Sequence, residues 1–78
     1  MPLINVRLIE GVFTPEQKNE MQKKLTDTMV SIEGENLREY TLVVVDEVPS
    51  GQWAIGGKAL TTEAVKALRA GKKTEAAA

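Results

Sequence analysis

Apolar and polar positions alternate from the second residue onward. Pro2 to Ile9 reads Pro-Leu-Ile-Asn-Val-Arg-Leu-Ile, with Ile4, Val6 and Leu8 on one side and Leu3, Asn5, Arg7 and Ile9 on the other. A period of two predicts a strand. Proline is tolerated at its first position, where the missing N–H breaks no ladder. Glu10-Gly11 ends the run. The period then changes. Met21, Leu25, Met29 and Ile32 recur at helical spacing, with Lys18, Lys23, Lys24 and Asp27 largely off that stripe. Thr14-Pro15-Glu16-Gln17 opens this helix with a cap, a proline at the first helical position and the glutamine of a capping box. Gly34 closes it, so the helix is expected over Pro15 to Glu33.

A second strand is expected from Tyr40 to Val45, reading Tyr-Thr-Leu-Val-Val-Val. Both of its faces are mainly apolar, which predicts cover on both sides. Asp46-Glu47 and then Pro49-Ser50-Gly51 end it, and Trp53-Ala54-Ile55 leads to the pair Gly56-Gly57. Two adjacent glycines suit a hairpin or the rim of a pocket. A short helix is expected from Thr61 or Thr62, with Ala64, Val65 and Leu68 as its apolar side, ending at Gly71. The fold class is therefore α+β: one β-α-β unit, a short C-terminal hairpin segment and a short helix. Residues 1–71 are expected to form a single domain and residues 72–78 a flexible tail.

One helix covers one face of a two-stranded sheet and leaves the other bare. Nothing else in 78 residues is large enough to cover it. Leaving it wet forgoes about 1.5–3 kcal/mol per Val or Leu side chain. Self-association is the economical answer.

Composition narrows the classes. With 10 Lys and Arg against 11 Asp and Glu, scattered along the chain, there is no electrostatic footprint for nucleic acid. No apolar run approaches the roughly 20 residues of a membrane helix. The first residues have neither the basic region nor the apolar stretch of a signal peptide. Cysteine and histidine are both absent, so neither a disulfide framework nor a Cys/His zinc site is available. A cytoplasmic globular protein with no membrane and no nucleic-acid partner is expected.

Met1-Pro2 before an apolar strand, Glu10-Gly11, the Pro-Glu-Gln-Lys helix start, the valine-rich strand and Trp53-Ala54-Ile55-Gly56-Gly57 form an ordered set. In that order and spacing the chain resembles 4-oxalocrotonate tautomerase and its relatives, from Pro2 to about Gly71. The resemblance implies a β-α-β protomer, a homohexamer, no cofactor, a small-molecule substrate, and catalysis by Pro2 once Met1 is removed. The chemistry has its own rationale. An amino-terminal proline carries a secondary amine, and an ordinary α-amino group titrates at about 7.7–8.0. A hydrophobic pocket disfavours the charged form and leaves free base near neutral pH. The plain alternative is a proline that only opens a strand.

The resemblance also places Trp53 at the mouth of a neighbouring protomer's site, where its ring could desolvate Pro2 and pack on a flat substrate. Filling a subunit interface is the equal alternative. Ile9 and Ile55 match apolar pocket positions, and core packing explains either as well. The chain departs from the family at two points. Well-known members hold substrate carboxylates with one arginine just after the Glu-Gly turn and another in the second strand. Here the first position is Val12 or Phe13 and the second Thr41 or Leu42. Of the three arginines, Arg38 is the first substitute to consider and Arg7 the next, each weighed against a solvated surface charge; Lys58 is a weaker candidate.

The leading expectation is keto–enol or allylic proton transfer on a small unsaturated keto or enol compound. Two alternatives stay open. One is a hydratase or dehalogenase of small unsaturated acids that uses the proline as an acid. The other is an oligomeric small-molecule-binding module without catalysis.

Overall fold

The computed structural model describes residues 1–71. The order of elements is β1 (Leu3–Ile9), α1 (Pro15–Glu33), a 3-10 helix (Glu35–Tyr40), β2 (Leu42–Val48), β3 (Trp53–Ile55), β4 (Lys58–Leu60) and α2 (Thr62–Arg69). Strands β1 and β2 pair in one two-stranded sheet, and β3 and β4 in another. The Leu42 N–H donates to the Pro2 carbonyl at 3.1 Å, and the Glu10 N–H to the Val48 carbonyl at 2.9 Å. Low numbers meet low and high meet high, so β1 and β2 run the same way. A parallel pair needs a crossover, which α1 supplies. The fold is the expected α+β arrangement of a β-α-β unit, a short hairpin and a short helix.

These residues fall into two compact units, one of Met1–Val6 with Phe13–Asp46, the other of Arg7–Val12 with Glu47 onward. The tail expected over residues 72–78 lies outside the described residues.

In the first unit, α1 begins as its sequence requires. The Thr14 hydroxyl accepts from the Gln17 N–H at 3.1 Å, and the Gln17 side chain accepts from the Thr14 N–H at 2.9 Å. Pro15 takes a position whose N–H would have had no partner. Thr14→Ala should cost about 1 kcal/mol, the usual value of such a cap. Urea unfolding at fixed protein concentration measures it, and Thr14→Ser should restore most of the loss.

The covered face of α1 keeps Met21, Leu25 and Met29 of the expected stripe but not its last residue. Val30 is its buried residue, whereas Ile32 is exposed. Partly covered positions recur at 17–18, 21–22, 25–26, 29–30 and 33. That step of four overshoots the 3.6-residue turn, so the face winds around the helix and leaves Ile32 behind. Gly34 ends the helix at a φ of 103°, donating its N–H to the Val30 carbonyl.

The second strand also starts later than expected. Tyr40 belongs to the 3-10 helix, which closes when the Thr41 N–H reaches the Arg38 carbonyl at 3.2 Å. Leu42 is the first residue bonded to β1. The strand then continues through Asp46-Glu47 to Val48, because both charged side chains stay exposed and the Val48 carbonyl still has Glu10 to accept from. Cover alternates along it. Val43 and Val45 are partly covered, while Leu42 and Val44 are exposed, as is Leu3 on β1. Asn5 and Asp46 stand beside them, joined by a 2.7 Å hydrogen bond from the Asn5 amide to the Asp46 carboxylate. One face of the strand therefore lacks the cover its sequence predicts.

The second unit has Ile9, Val12 and Leu60 as its buried apolar residues. Strands β3 and β4 pair antiparallel, with Trp53 opposite Leu60 and Ile55 opposite Lys58. Gly56 and Gly57 form the two-residue turn with φ of 58° and 81°. Positive φ at both central residues matches the twist of a hairpin and favours glycine. Helix α2 is capped by Thr61, whose hydroxyl accepts from the Ala64 N–H at 3.1 Å. The neighbouring Thr62 hydroxyl donates to the Glu10 carbonyl at 2.6 Å. Gly11 turns beside it at a φ of 81°, and a Cβ there would lie 3.1 Å from the Thr62 methyl.

Candidate functional site

Pro2 lies at the entrance of β1, partly covered, with Met1 beside it almost fully exposed. Having no N–H of its own, Pro2 loses nothing at a strand end, and its carbonyl is held by the Leu42 N–H. That bond fixes the plane of the peptide that follows the proline ring. Thr41, just before Leu42, is tied in turn. Its hydroxyl reaches the Glu33 carboxylate at the end of α1 and the Leu37 carbonyl of the 3-10 helix, the latter at 2.9 Å. Helix end, 3-10 helix and strand start are thus joined one residue from the bond that holds Pro2.

Arg38 sits on the 3-10 helix with its guanidinium engaged. Nε donates to Glu35 at 2.7 Å and Nη1 to Asp27 at 2.8 Å, while Nη2 reaches the other Glu35 oxygen at 3.3 Å. These bonds, Glu35 first and then Asp27, raise its pKa further above an already high value. The same Arg38 hydrogen bond holds the Glu35 carboxyl below its ordinary value. A carboxylate titrating low in the fold contributes stability above its unfolded pKa and loses it as pH falls through the folded one. Carboxyl NMR titration should therefore find Glu35 with a lowered midpoint, returning to the ordinary value in Arg38→Ala. Exposure keeps the stability effect small.

The other candidates belong to the second unit. Ile9, the last residue of β1, is buried. Arg7 is exposed on β1 and has no ion pair among the described residues. Trp53 and Ile55 occupy alternate positions of β3, hence one face of the hairpin. Trp53 is partly covered, opposite the buried Leu60; Ile55, at the turn, is half exposed. Lys58 stands directly opposite Ile55, so it shares that face.

Of the residues the resemblance sets at the two arginine positions, Val12 or Phe13 and Thr41 or Leu42, Val12 and Thr41 have structural roles of their own. Val12 is buried, and its carbonyl accepts from Arg69 Nη1 at 3.4 Å. Thr41 carries the tether just described. Sequence reasoning missed that tether, the Asn5–Asp46 bond and the company Lys58 keeps. Only the last had a usable signal: a Gly-Gly turn between equal strands sets the register that pairs Ile55 with Lys58.

Comparison with known proteins agrees with the fold. The model of the tautomerase enzyme family matches residues 2–63. A probable tautomerase from Dickeya dadantii (strain 3937) is 36% identical over 61 residues, covering 78% of this chain and 90% of that protein. Among solved structures, an apo unfused 4-oxalocrotonate tautomerase is similar at 32% identity with a TM-score of 0.67, covering 82% of this chain and 98% of its own. A 4-oxalocrotonate tautomerase homologue is similar at 35% identity and a TM-score of 0.66, covering 81% and 94% respectively. DmpI from Helicobacter pylori follows at 31% and 0.63, covering 80% and 97%.

Proposed function

Since this chain belongs to the tautomerase enzyme family, we propose that it moves a proton within a small unsaturated keto or enol compound, with the amine of mature Pro2 as the base. The observation that carries this reading is the place of the proline. The family match begins at residue 2, and that residue is anchored through its carbonyl to β2. With Met1 removed, the Pro2 nitrogen is a free secondary amine on a fixed peptide. It takes a proton from a hydroxyl or an activated carbon and returns it to another atom of the same molecule. The net change is a shifted double bond, so no cofactor is required.

By the resemblance, Trp53 of a neighbouring protomer stands at the mouth of the site, where its ring would favour the uncharged amine and accept a flat conjugated substrate, and Ile9 and Ile55 match apolar pocket positions. Arg7 is the freer of the two arginine candidates, because Arg38 is already bonded to two carboxylates. The working form is a homo-oligomer, a hexamer by analogy with the resemblance set out above, acting in the cytoplasm. The exposed apolar side chains Leu3, Leu42 and Val44 support assembly.

The test is ketonisation of a phenylenolpyruvate-type enol by the mature chain and by a chain that keeps Met1. Activity in the first and not the second supports the proline base. Equal rates in both would remove it. A non-catalytic binding module is favoured by one observation, the absence of a cation at both family arginine positions. Substrate binding without turnover in the mature chain would decide for it.

A further inference from the structure

We propose that Lys58 is the carboxylate-binding cation of this protein and that its ligand is a flat, conjugated acid with a single carboxylate. The inference deepens the reading above and rests on it for the identity of the site. Its own support lies within the hairpin.

Register fixes the geometry. In an antiparallel pair, directly opposite residues point to the same side, and so do alternate residues along one strand. Trp53, Ile55, Lys58 and Leu60 therefore line one face of the hairpin, while Ala54 and Ala59 line the other. Along that face the character changes from the strand base to the turn. Leu60 is buried and Trp53 partly covered opposite it; Ile55 is half exposed and Lys58 exposed opposite that. An indole, a branched aliphatic chain and an ammonium follow one another across about two residue steps. Such a row suits a planar apolar body ending in one negative charge.

The ammonium is also available. Lys58 has no ion pair among the described residues, in contrast to Arg38, held by Asp27 and Glu35, and Lys24, held by Glu20. Gly56 and Gly57 beside it leave open space at the turn, since a Cβ built on either meets nothing within 4 Å. One free lysine matches one carboxylate. A diacid would need a second cation, and the hairpin offers none: Gly51 to Leu60 contains Lys58 as its single charged residue. The lysine binds as a mobile point charge rather than a planar fork, which tolerates varied acids but fixes their orientation less.

Trp53, the single tryptophan, is a built-in reporter. The experiment titrates the intact mature protein with cinnamate, a flat monocarboxylate that cannot tautomerise, and with the neutral cinnamamide. Binding is read by Trp53 emission and by calorimetry, in wild type, Lys58→Gln and Lys58→Arg. Cinnamate should quench Trp53, with Kd raised about tenfold in Lys58→Gln, as for loss of a charge-assisted hydrogen bond. Lys58→Arg should recover most of that affinity, and cinnamamide should bind wild type and Lys58→Gln alike. Equal cinnamate affinity in wild type and Lys58→Gln, or no cinnamate binding by wild type, would overturn the proposal. Turnover is a separate readout. Cinnamate does not turn over, so a failed proline mechanism leaves the Lys58 binding result intact, and a failed Lys58 result leaves the proline mechanism to its own test.

Discussion

A chain prepared with Met1 still attached should ketonise a phenylenolpyruvate-type enol about 10²–10⁴-fold more slowly than the chain that begins at Pro2, the range spanned by positioned acid–base groups. The difference is one peptide bond. In the longer chain the Pro2 nitrogen is a tertiary amide, whose lone pair is delocalised into the carbonyl and cannot act as a base at neutral pH. In the mature chain it is an amine. Little else changes, because Met1 is 84% exposed and the bond from the Leu42 N–H uses the Pro2 carbonyl, present in both forms. At no more than 78 residues, both chains are accessible by chemical synthesis. Circular dichroism should find them alike while their rates differ. Mature Pro2→Ala is the finer probe. It keeps an amino group but exchanges a ring-locked secondary amine for a rotating, better solvated primary one. Its kcat should fall by at least tenfold with a smaller change in KM, and the rate should still rise with pH as its amine loses a proton. Matched rates in the two synthetic chains would mean that another group moves the proton.

How far the site could be read from sequence depended on how local its causes are. The α1 start was fully legible, since Thr14, Pro15 and Gln17 act within one turn, and each is found in its expected role. The Gly56-Gly57 hairpin was legible for the same reason. Periodicity served the strands well and α1 less well. The stripe ending at Ile32 follows the ideal helix, whereas the covered face winds with a step of four and takes Val30 instead. Tyr40 misled for another reason. Its β propensity says nothing of the turn that Thr41 closes with Arg38. The site residues divided along the same line. The expectation for Pro2 rests on chemistry that follows from its place in the chain. The engagement of Arg38 depends on Asp27, a helix away, and no spacing rule connects the two. Nor could sequence tell that Val12, one of two residues the resemblance sets at the first arginine position, is core. The lesson is physical: an arginine's value as a substrate clamp depends on which carboxylates reach it first.

The bare side of β2 leads to the second large effect, on assembly. Leu3, Leu42 and Val44 are 60%, 49% and 39% exposed, although each is a residue that usually lies inside. They adjoin the Asn5–Asp46 hydrogen bond on its strand-start side, and that polar pair would give register to whatever covers the patch. A second copy of this chain is the occupant that the proposed function requires. Burying one such side chain contributes about 1.5–3 kcal/mol. Leu42→Asp forfeits that and places an unpaired carboxylate in the contact, beside the existing charge of Asp46. The combined loss should reach at least about 3 kcal/mol per contact, a rise in Kd of more than 100-fold. Native mass spectrometry and sedimentation at micromolar concentration should find the wild type assembled and Leu42→Asp reduced to smaller species. Asn36→Asp adds the same charge on the exposed 3-10 helix and should leave assembly unchanged. Stability should follow assembly, because a ligand that binds only the folded state stabilises it, and each protomer is such a ligand for the next. The wild-type Tm should therefore rise with protein concentration, while that of Leu42→Asp should be lower and flat. A wild type that sediments as a monomer with a concentration-independent Tm would show that this face tolerates water, and the oligomer would have to be abandoned.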